Sequence, residues 1–247
     1  MLRKNVGVAV TTAPRTDCTL EYCLASIASC GLDPVVFAEP GSTRTDYCTV
    51  QNEKRLGVWH NWLNSAKYML LNTSFDYIMT VQDDSLFHPD SGSFIDRLEF
   101  PSNAAFVSFY TPKHYSIIKG QEKTTGVNRI RTRSLWGACA LLWTRTTLSQ
   151  VVSHPRANTW IGAKPKSGNP AVYQNRKENP HLIANSDTAI GMIINKIGLA
   201  MYFVDPSPVQ HIAEHSTISH GGNGGRRNCW RCADFERPLW EQVYGAL

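Results

Sequence analysis

Phe75-Asp76-Tyr77-Ile78-Met79-Thr80-Val81-Gln82-Asp83-Asp84 is an apolar run that stops on two adjacent carboxylates. Phe75 to Val81 predicts a buried strand, and the acids fall at its end. Adjacent carboxylates repel each other, and burying them without partners is costly. Packing alone therefore gives no reason for the pair. A divalent cation resolves the repulsion, and oxygen ligands suit Mg²⁺ or Mn²⁺ shared with a phosphate-bearing substrate. Open α/β sheets bind ligands at the carboxyl ends of their strands, which is where Asp83 and Asp84 lie. The competing reading of an isolated Asp-Asp is a solvated turn, so the segments around it decide the matter.

Upstream, Val6 to Val10 is a short β-rich run closed by Thr11-Thr12-Ala13-Pro14-Arg15. Leu20, Leu24 and Ile27 recur at helical spacing before a stop at Gly31. Pro34 to Ala38 predicts a second strand, ended by Glu39-Pro40-Gly41, and Val58, Trp62, Ala66, Met69 and Leu70 predict a second helix. The order β-α-β-α-β builds a mostly parallel, Rossmann-like central sheet covered by helices. The 247 residues, 42% hydrophobic and 18% charged, support one sizeable core and not a disordered chain. No apolar run approaches the ~20 residues that span a bilayer, and Val6 to Val10 is too short for a signal-peptide core. The seven cysteines are an odd number without framework spacing. They read as reduced thiols of a cytoplasmic protein.

Beyond Pro101 the rhythm changes. Ala104 to Tyr110 predicts a strand, and Lys113 to Arg133 is polar and basic with little periodicity. Leu135 to Trp143 is apolar around Gly137, and Thr146 to Val152 predicts a short helix. His154 to Pro180 is long and irregular, which is unusual inside a domain and often functional. Ile190, Ile193, Ile194 and Ile197 follow Asp187 as a helix that ends at Gly198, and Ala200 to Val204 predicts the last strand. A glycine-rich break at 221–225 separates a domain of residues 1–219 from a tail, 220–247, expected to pack on it with Trp230, Phe235 and Trp240 as anchors.

In order and spacing, several of these segments resemble the GT-A glycosyltransferases, enzymes that use a nucleotide-sugar donor. The resemblance covers Val6 to about Ser219. Val10-Thr11-Thr12-Ala13-Pro14-Arg15 is similar to their first nucleotide-binding strand and turn, and Leu56-Gly57-Val58 through Asn61 to the helix before their metal motif. Gln82-Asp83-Asp84 resembles their Asp-x-Asp motif, and Trp136-Gly137-Ala138 their glycine-containing loop between donor and acceptor. Asn185-Ser186-Asp187 resembles the acidic segment that carries the base, and Pro206 to Ile212 their C-terminal histidine segment.

The resemblance implies a metal-dependent transfer of sugar to an acceptor hydroxyl. Asp84 and His211 would hold Mn²⁺ or Mg²⁺, and Asp187 would be the general base of an inverting displacement. Thr11, Thr12, Arg15, Glu39, Gln82, Asp83, Trp136 and Gly137 would line the donor site. Gln82 departs from the family pattern, because it stands where the first acid is expected and adds no charge. Other readings remain open for single residues: Asp187 as a helix N-cap, Trp136 as a core residue, Thr11 as turn chemistry, and His211, like His215 and His220, as a surface histidine.

The net charge of +5 is uneven. Lys113, Lys119, Lys123, Arg129, Arg131 and Arg133 are opposed in their segment only by Glu122, and Arg156, Lys164, Lys166, Arg176 and Lys177 only by Glu178. Such segments attract polyanions, so the acceptor is either DNA carrying hydroxymethylated pyrimidines or a glycan or lipid-linked saccharide; two solvated loops are the plain alternative. Cys229-Trp230-Arg231-Cys232 is half of a structural zinc site at most and reads better as free thiols. A nucleotidyltransferase also pairs carboxylates with metal, but Thr11 to Arg15 lacks the glycine-rich phosphate loop expected of one. An inactive binding module is the third class, and Asp84, Asp187 and His211 argue against it.

Overall fold

The computed structural model describes residues 4–15, 19–43, 46–121, 124–160, 184–212 and 229–244. Strands β1 (Val6–Thr12), β2 (Pro34–Ala38), β3 (Thr49–Gln51) and β4 (Tyr77–Gln82) alternate with helices α1 (Thr19–Ser29) and α2 (Gly57–Asn72). A short β5 (Ser85–Phe87) and α3 (Ser91–Arg97) lead to β6 (Ala104–Ser108), a 3-10 turn (Lys113–Ile117) and β7 (Gly126–Arg129). Then follow β8 (Ala140–Thr144), α4 (Arg145–Ser153), α5 (Pro155–Thr159), α6 (Ser186–Ile197), β9 (Ala200–Asp205), β10 (Val209–His211) and α7 (Leu239–Tyr244).

Eight strands form one sheet in the order β3-β2-β1-β4-β8-β6-β9-β7, and β10 pairs with β5 in a separate ribbon. β1, β2, β3, β4, β6 and β9 run one way, and β8 and β7 run against them. The chain is thus a single α/β domain around a mostly parallel, Rossmann-like sheet. Side chains alternate between its faces, as the pleat requires. Val8 and Val10 pack with α1, α3 and the C-terminal α7, while Ala9 packs with α2, α4, α5 and α6. Both faces are covered, and for that reason the central strands read as continuous apolar runs. Thr80 is the fully buried polar residue of β4, and its hydroxyl accepts a hydrogen bond from the Trp143 indole N–H at 3.0 Å.

Several boundaries moved for local reasons. Phe75 and Asp76 precede β4, because the Asn5 carbonyl accepts from both the Asp76 and Tyr77 amides. The apolar stretch from Leu135 divides into a loop, Leu135 to Cys139, and the strand β8. The polar stretch from Lys113 contains β7, whose Asn128 is buried and donates to the Thr124 and Gly126 carbonyls, so it has no apolar signature. Residues 161–183, most of the long irregular stretch, lie outside the described residues, as do the glycine break, His215 and His220. No helix among the described residues is long and apolar enough to cross a membrane.

The tail segment 229–244 docks on the domain. The Trp230 amide donates to the Thr111 carbonyl and the Ala233 amide to that of Ser207. His88 is 1% exposed and clamps the segment. Its Nδ1 accepts from the Asp90 amide, which leaves Nε2–H to donate to the Asp234 and Arg237 carbonyls, each at 3.0 Å. Trp230 lies against Phe203 and Phe235 against the His88 ring. Cys229 and Cys232 are joined in a disulfide, which corrects their reading as free thiols; Cys23, Cys30, Cys48 and Cys139 are not in disulfides. Leu239 is fully buried in the core cluster on this face. Leu239→Ala should cost about 2–5 kcal/mol in urea unfolding and speed proteolytic loss of the tail; wild-type stability would show that α7 contributes no core.

Candidate metal centre and its surroundings

β4 ends at Gln82, and Asp83 and Asp84 make the tight turn into β5. Both are buried, at 3% and 5% exposure. Arg15, at the end of the turn after β1, bridges them. Its Nε and Nη2 donate to the two oxygens of Asp83 at 3.1 and 2.7 Å, and Nη2 also reaches Asp84 Oδ2 at 2.7 Å. The Thr12 hydroxyl donates to Asp83 Oδ2 at 2.6 Å. Burial raises the Asp83 carboxyl to about 6, against the pull of Arg15 and with the push of Asp84. Burial also pushes Asp84 up, but its contacts with His211 and Arg15 outweigh that and hold it below the usual carboxylate range. The guanidinium itself is lowered by burial and raised more strongly by the two acids, so it remains charged.

The register of the small ribbon delivers His211. β10 pairs antiparallel with β5, His211 lies opposite Ser85, and the next amide, Ile212, donates to the Asp84 carbonyl at 2.9 Å. His211 Nε2 is thereby held 3.2 Å from Asp84 Oδ2. Cys139 arrives from the other side. β8 is antiparallel to β4, and the Gln82 amide donates to the Cys139 carbonyl just beyond their ladder. The ligand atoms of Asp84, Cys139 and His211 all lie within 4.8 Å of one another.

Three buried atoms here have no hydrogen-bond partner: Asp84 Oδ1, His211 Nδ1 and Arg15 Nη1. Unpartnered buried polar groups are rare and call for an explanation. The fit to a divalent ion rests on the convergence of one ligand atom each from Asp84, Cys139 and His211, of which His211 Nε2 and Asp84 Oδ2 are the pair held at 3.2 Å. Arg15 Nη1 is a cationic N–H and fits an anion.

A second cluster adjoins this one. Gly137 has φ +73°, and a Cβ there would lie 2.7 Å from the Tyr110 ring, so glycine is required where the loop crosses this aromatic. The Tyr110 ring is 6.2 Å from the His211 ring. The Gly137 amide points to Asp187 Oδ2 at 3.4 Å. Asp187 sits in the first turn of α6, half-buried, and the N-cap position belongs to Asn185. The carboxylate is therefore not the helix cap, although Oδ1 accepts from the Thr188 amide at 2.9 Å. Trp136 is half-buried, with its ring 5.6 and 5.5 Å from the rings of His114 and Tyr115. Its amide donates to the Tyr115 hydroxyl, whose pKa is pushed up by burial and further by Asp187.

The other expected site residues are placed as follows. The Thr11 hydroxyl donates to the Val81 carbonyl, and the Gln82 carbonyl accepts weakly from the Cys23 thiol at 3.7 Å. Glu39 is 2% exposed, and its carboxylate accepts from the Leu56 and Gly57 amides at 2.8–3.1 Å. It holds the start of α2, where four amides lack intrahelical partners, so any nucleotide would compete for oxygens already in use. Arg129, Arg131 and Arg133 are exposed on and after the edge strand β7, which runs away from the end of the sheet that carries Asp84. Lys123, Lys164, Lys166, Arg176 and Lys177 lie outside the described residues. Sequence reading missed Cys139, because only the antiparallel direction of β8 brings the entry of that strand, and not its exit, to the site.

No protein-family model matches this chain, and no curated protein matches it either.

Arg15→Leu should strip the acids of their cation and cost about 3–5 kcal/mol in chelator-treated protein. Divalent ions should restore part of that loss. Equal stability of variant and wild type in chelator would show that Arg15 does not hold the pair.

Proposed function

We propose that this chain is a metal-dependent glycosyltransferase that moves a sugar from a nucleotide-diphosphate-sugar to an acceptor hydroxyl. The observation that carries the reading is the set of unpartnered buried atoms around one carboxylate. Asp84 Oδ1, His211 Nδ1 and Arg15 Nη1 are buried without hydrogen-bond partners, and the Asp84 and His211 side chains offer ligand atoms that converge with Cys139. A metal diphosphate supplies a cation and an anion at once, and the end of a mostly parallel sheet is the usual place for such a ligand.

Asp84 and His211 would hold a divalent cation, which would stabilise the negative charge of the departing nucleotide diphosphate. Arg15, fixed by the two acids, would direct its remaining N–H at a phosphate oxygen. Half-exposed Trp136 offers an aromatic face to a sugar or base. Asp187 would take the proton of the acceptor hydroxyl as that oxygen attacks the anomeric carbon and the bond from carbon to diphosphate breaks. With one carboxylate acting as base, the outcome is inversion in a single displacement.

The acceptor is either a hydroxymethylated pyrimidine in DNA or a glycan; Arg129, Arg131 and Arg133 are exposed but lie on and after a strand that runs away from the Asp84 end, so they do not select between the two. A nucleotidyltransferase is the second reading, and the unpartnered Arg15 N–H beside the acids is the feature it shares.

Nucleotide diphosphate release from a panel of nucleotide-sugars with Mn²⁺, with and without hydroxymethylated DNA, tests the reading. Release stimulated by DNA establishes transfer and the acceptor class, and release indifferent to DNA directs the search to glycans. Pyrophosphate exchange without diphosphate release would replace the reading with nucleotidyl transfer.

Asp84→Ala should abolish turnover together with metal-dependent nucleotide binding. Asp187→Asn should keep donor binding and lose turnover by roughly 10²–10⁴-fold. Loss of donor binding in the Asp187 variant would instead give it a structural role at the start of α6.

A further inference from the structure

We propose that Cys139 is a third protein ligand of the centre, so that the ion it takes is a thiophilic divalent metal of the zinc and cobalt class and not Mg²⁺. This rests on the metal site of the reading above, but not on its reaction.

The donors come from three separate elements. Asp84 stands in the turn after β4, His211 at the end of β10, and Cys139 just before β8, with all three ligand atoms inside 4.8 Å. Cys139 is 1% exposed, and its backbone is fixed from two directions. Its carbonyl accepts from the Gln82 amide at 2.8 Å and from the Ser85 hydroxyl at 3.1 Å. The thiol is thus presented to the acid-histidine pair by the same residues that flank Asp83 and Asp84. Asp84 Oδ1 and His211 Nδ1 are buried without partners beside it. Each of these two side chains is at most 10% exposed.

One carboxylate oxygen, one imidazole and one thiolate are the donor types of zinc sites, and three protein ligands leave a position open to a substrate. Magnesium takes oxygen ligands at strict octahedral geometry and has no use for sulfur. Charge agrees. Arg15 against Asp83 and Asp84 leaves one negative charge, and a Cys139 thiolate makes two, which a divalent ion neutralises.

The test is Co²⁺ titration of the chelator-treated full chain under anaerobic conditions, reading the thiolate-to-cobalt charge-transfer absorption in the near ultraviolet. Wild type should develop the band to saturation at a single equivalent. Zn²⁺ should displace the Co²⁺, and excess Mg²⁺ should not. Cys139→Ser should lose the band and weaken Co²⁺ binding by at least about tenfold, whereas Cys48→Ser, a change at an exposed thiol, should keep both. Should Cys139→Ser fail to fold, the wild-type band and its competition by Zn²⁺ against Mg²⁺ still decide the question, and His211→Gln should shift the band.

Saturating Co²⁺ binding by wild type without the band, or a band that survives in folded Cys139→Ser, would overturn the assignment. Diphosphate release supported by Mn²⁺ from a wild type that shows no thiolate band would sink this inference and leave the transferase standing. A thiolate band in a protein that consumes no nucleotide-sugar would do the reverse.

Discussion

The guanidinium of Arg15 across Asp83 and Asp84 is the contact on which this end of the molecule depends. Two buried carboxylates on successive residues are unstable without positive charge, and the turn after β1 supplies one. The consequence is asymmetric. Asp83 spends both oxygens on Arg15 and Thr12, whereas Asp84 gives only Oδ2 to Arg15 and His211 and keeps Oδ1 buried without a partner. One acid is thus structural and the other is available. Burial pushes both carboxyls up, and it prevails at Asp83, whereas at Asp84 the contacts with His211 and Arg15 outweigh it.

Sheet direction explains why unrelated segments meet there. β1, β4, β6 and β9 all leave the sheet at this end, which brings Arg15, Asp84, Tyr110 and the segment leading to His211 to one edge. β8 runs the other way, so its entry joins them and carries Gly137 and Cys139. The compact loop between Leu135 and Cys139 then needs a positive φ at Gly137 to pass the Tyr110 ring, and that passage is what brings the loop amide to Asp187.

Much of this was legible in the sequence, and the reasons for the remainder are physical. The buried strands β1, β2 and β4 and the helices α1, α2 and α6 announced themselves through apolar runs and 3.6-residue spacing, because each buries a continuous face. The acid pair stood out because nothing in packing chemistry favours it. β7 stayed hidden because its buried position is Asn128, satisfied by local carbonyls and not by apolar neighbours. β5 and β10 were too short to show alternation, and their pairing depends on tertiary register. Glu39 looked like a donor-site residue from its strand-end position. Its hydrogen bonds to Leu56 and Gly57 lie 17 and 18 residues away, across a turn that no local pattern encodes. The Cys229–Cys232 disulfide ran against an inference from cysteine number and spacing, which carries no information about a local Cys-x-x-Cys pair.

The tail belongs to the same construction as the Asp84–Cys139–His211 cluster. His211 is placed by β10, and β10 hangs between β5 and the segment after β9. The Val209 amide donates to the Phe109 carbonyl, and the Ser207 hydroxyl reaches the Phe109 and Val209 carbonyls at 3.1 and 2.7 Å. Ser207 is in turn gripped by the tail, since its amide donates to the Arg231 carbonyl and its own carbonyl accepts from the Ala233 amide. Arg231 then closes on Asp205 at 2.6 Å, at the end of β9. Asp205 is nearly inaccessible while the Arg231 side chain is half-exposed, so most of what this contact does is to relieve a buried carboxylate. A segment that ties down both sides of Ser207 restricts the residues that set the His211 ring against Asp84. The docked segment 229–244 thus bears on the His211–Asp84 contact through backbone register, with the Cys229–Cys232 loop bridging to Pro112 and Ser207.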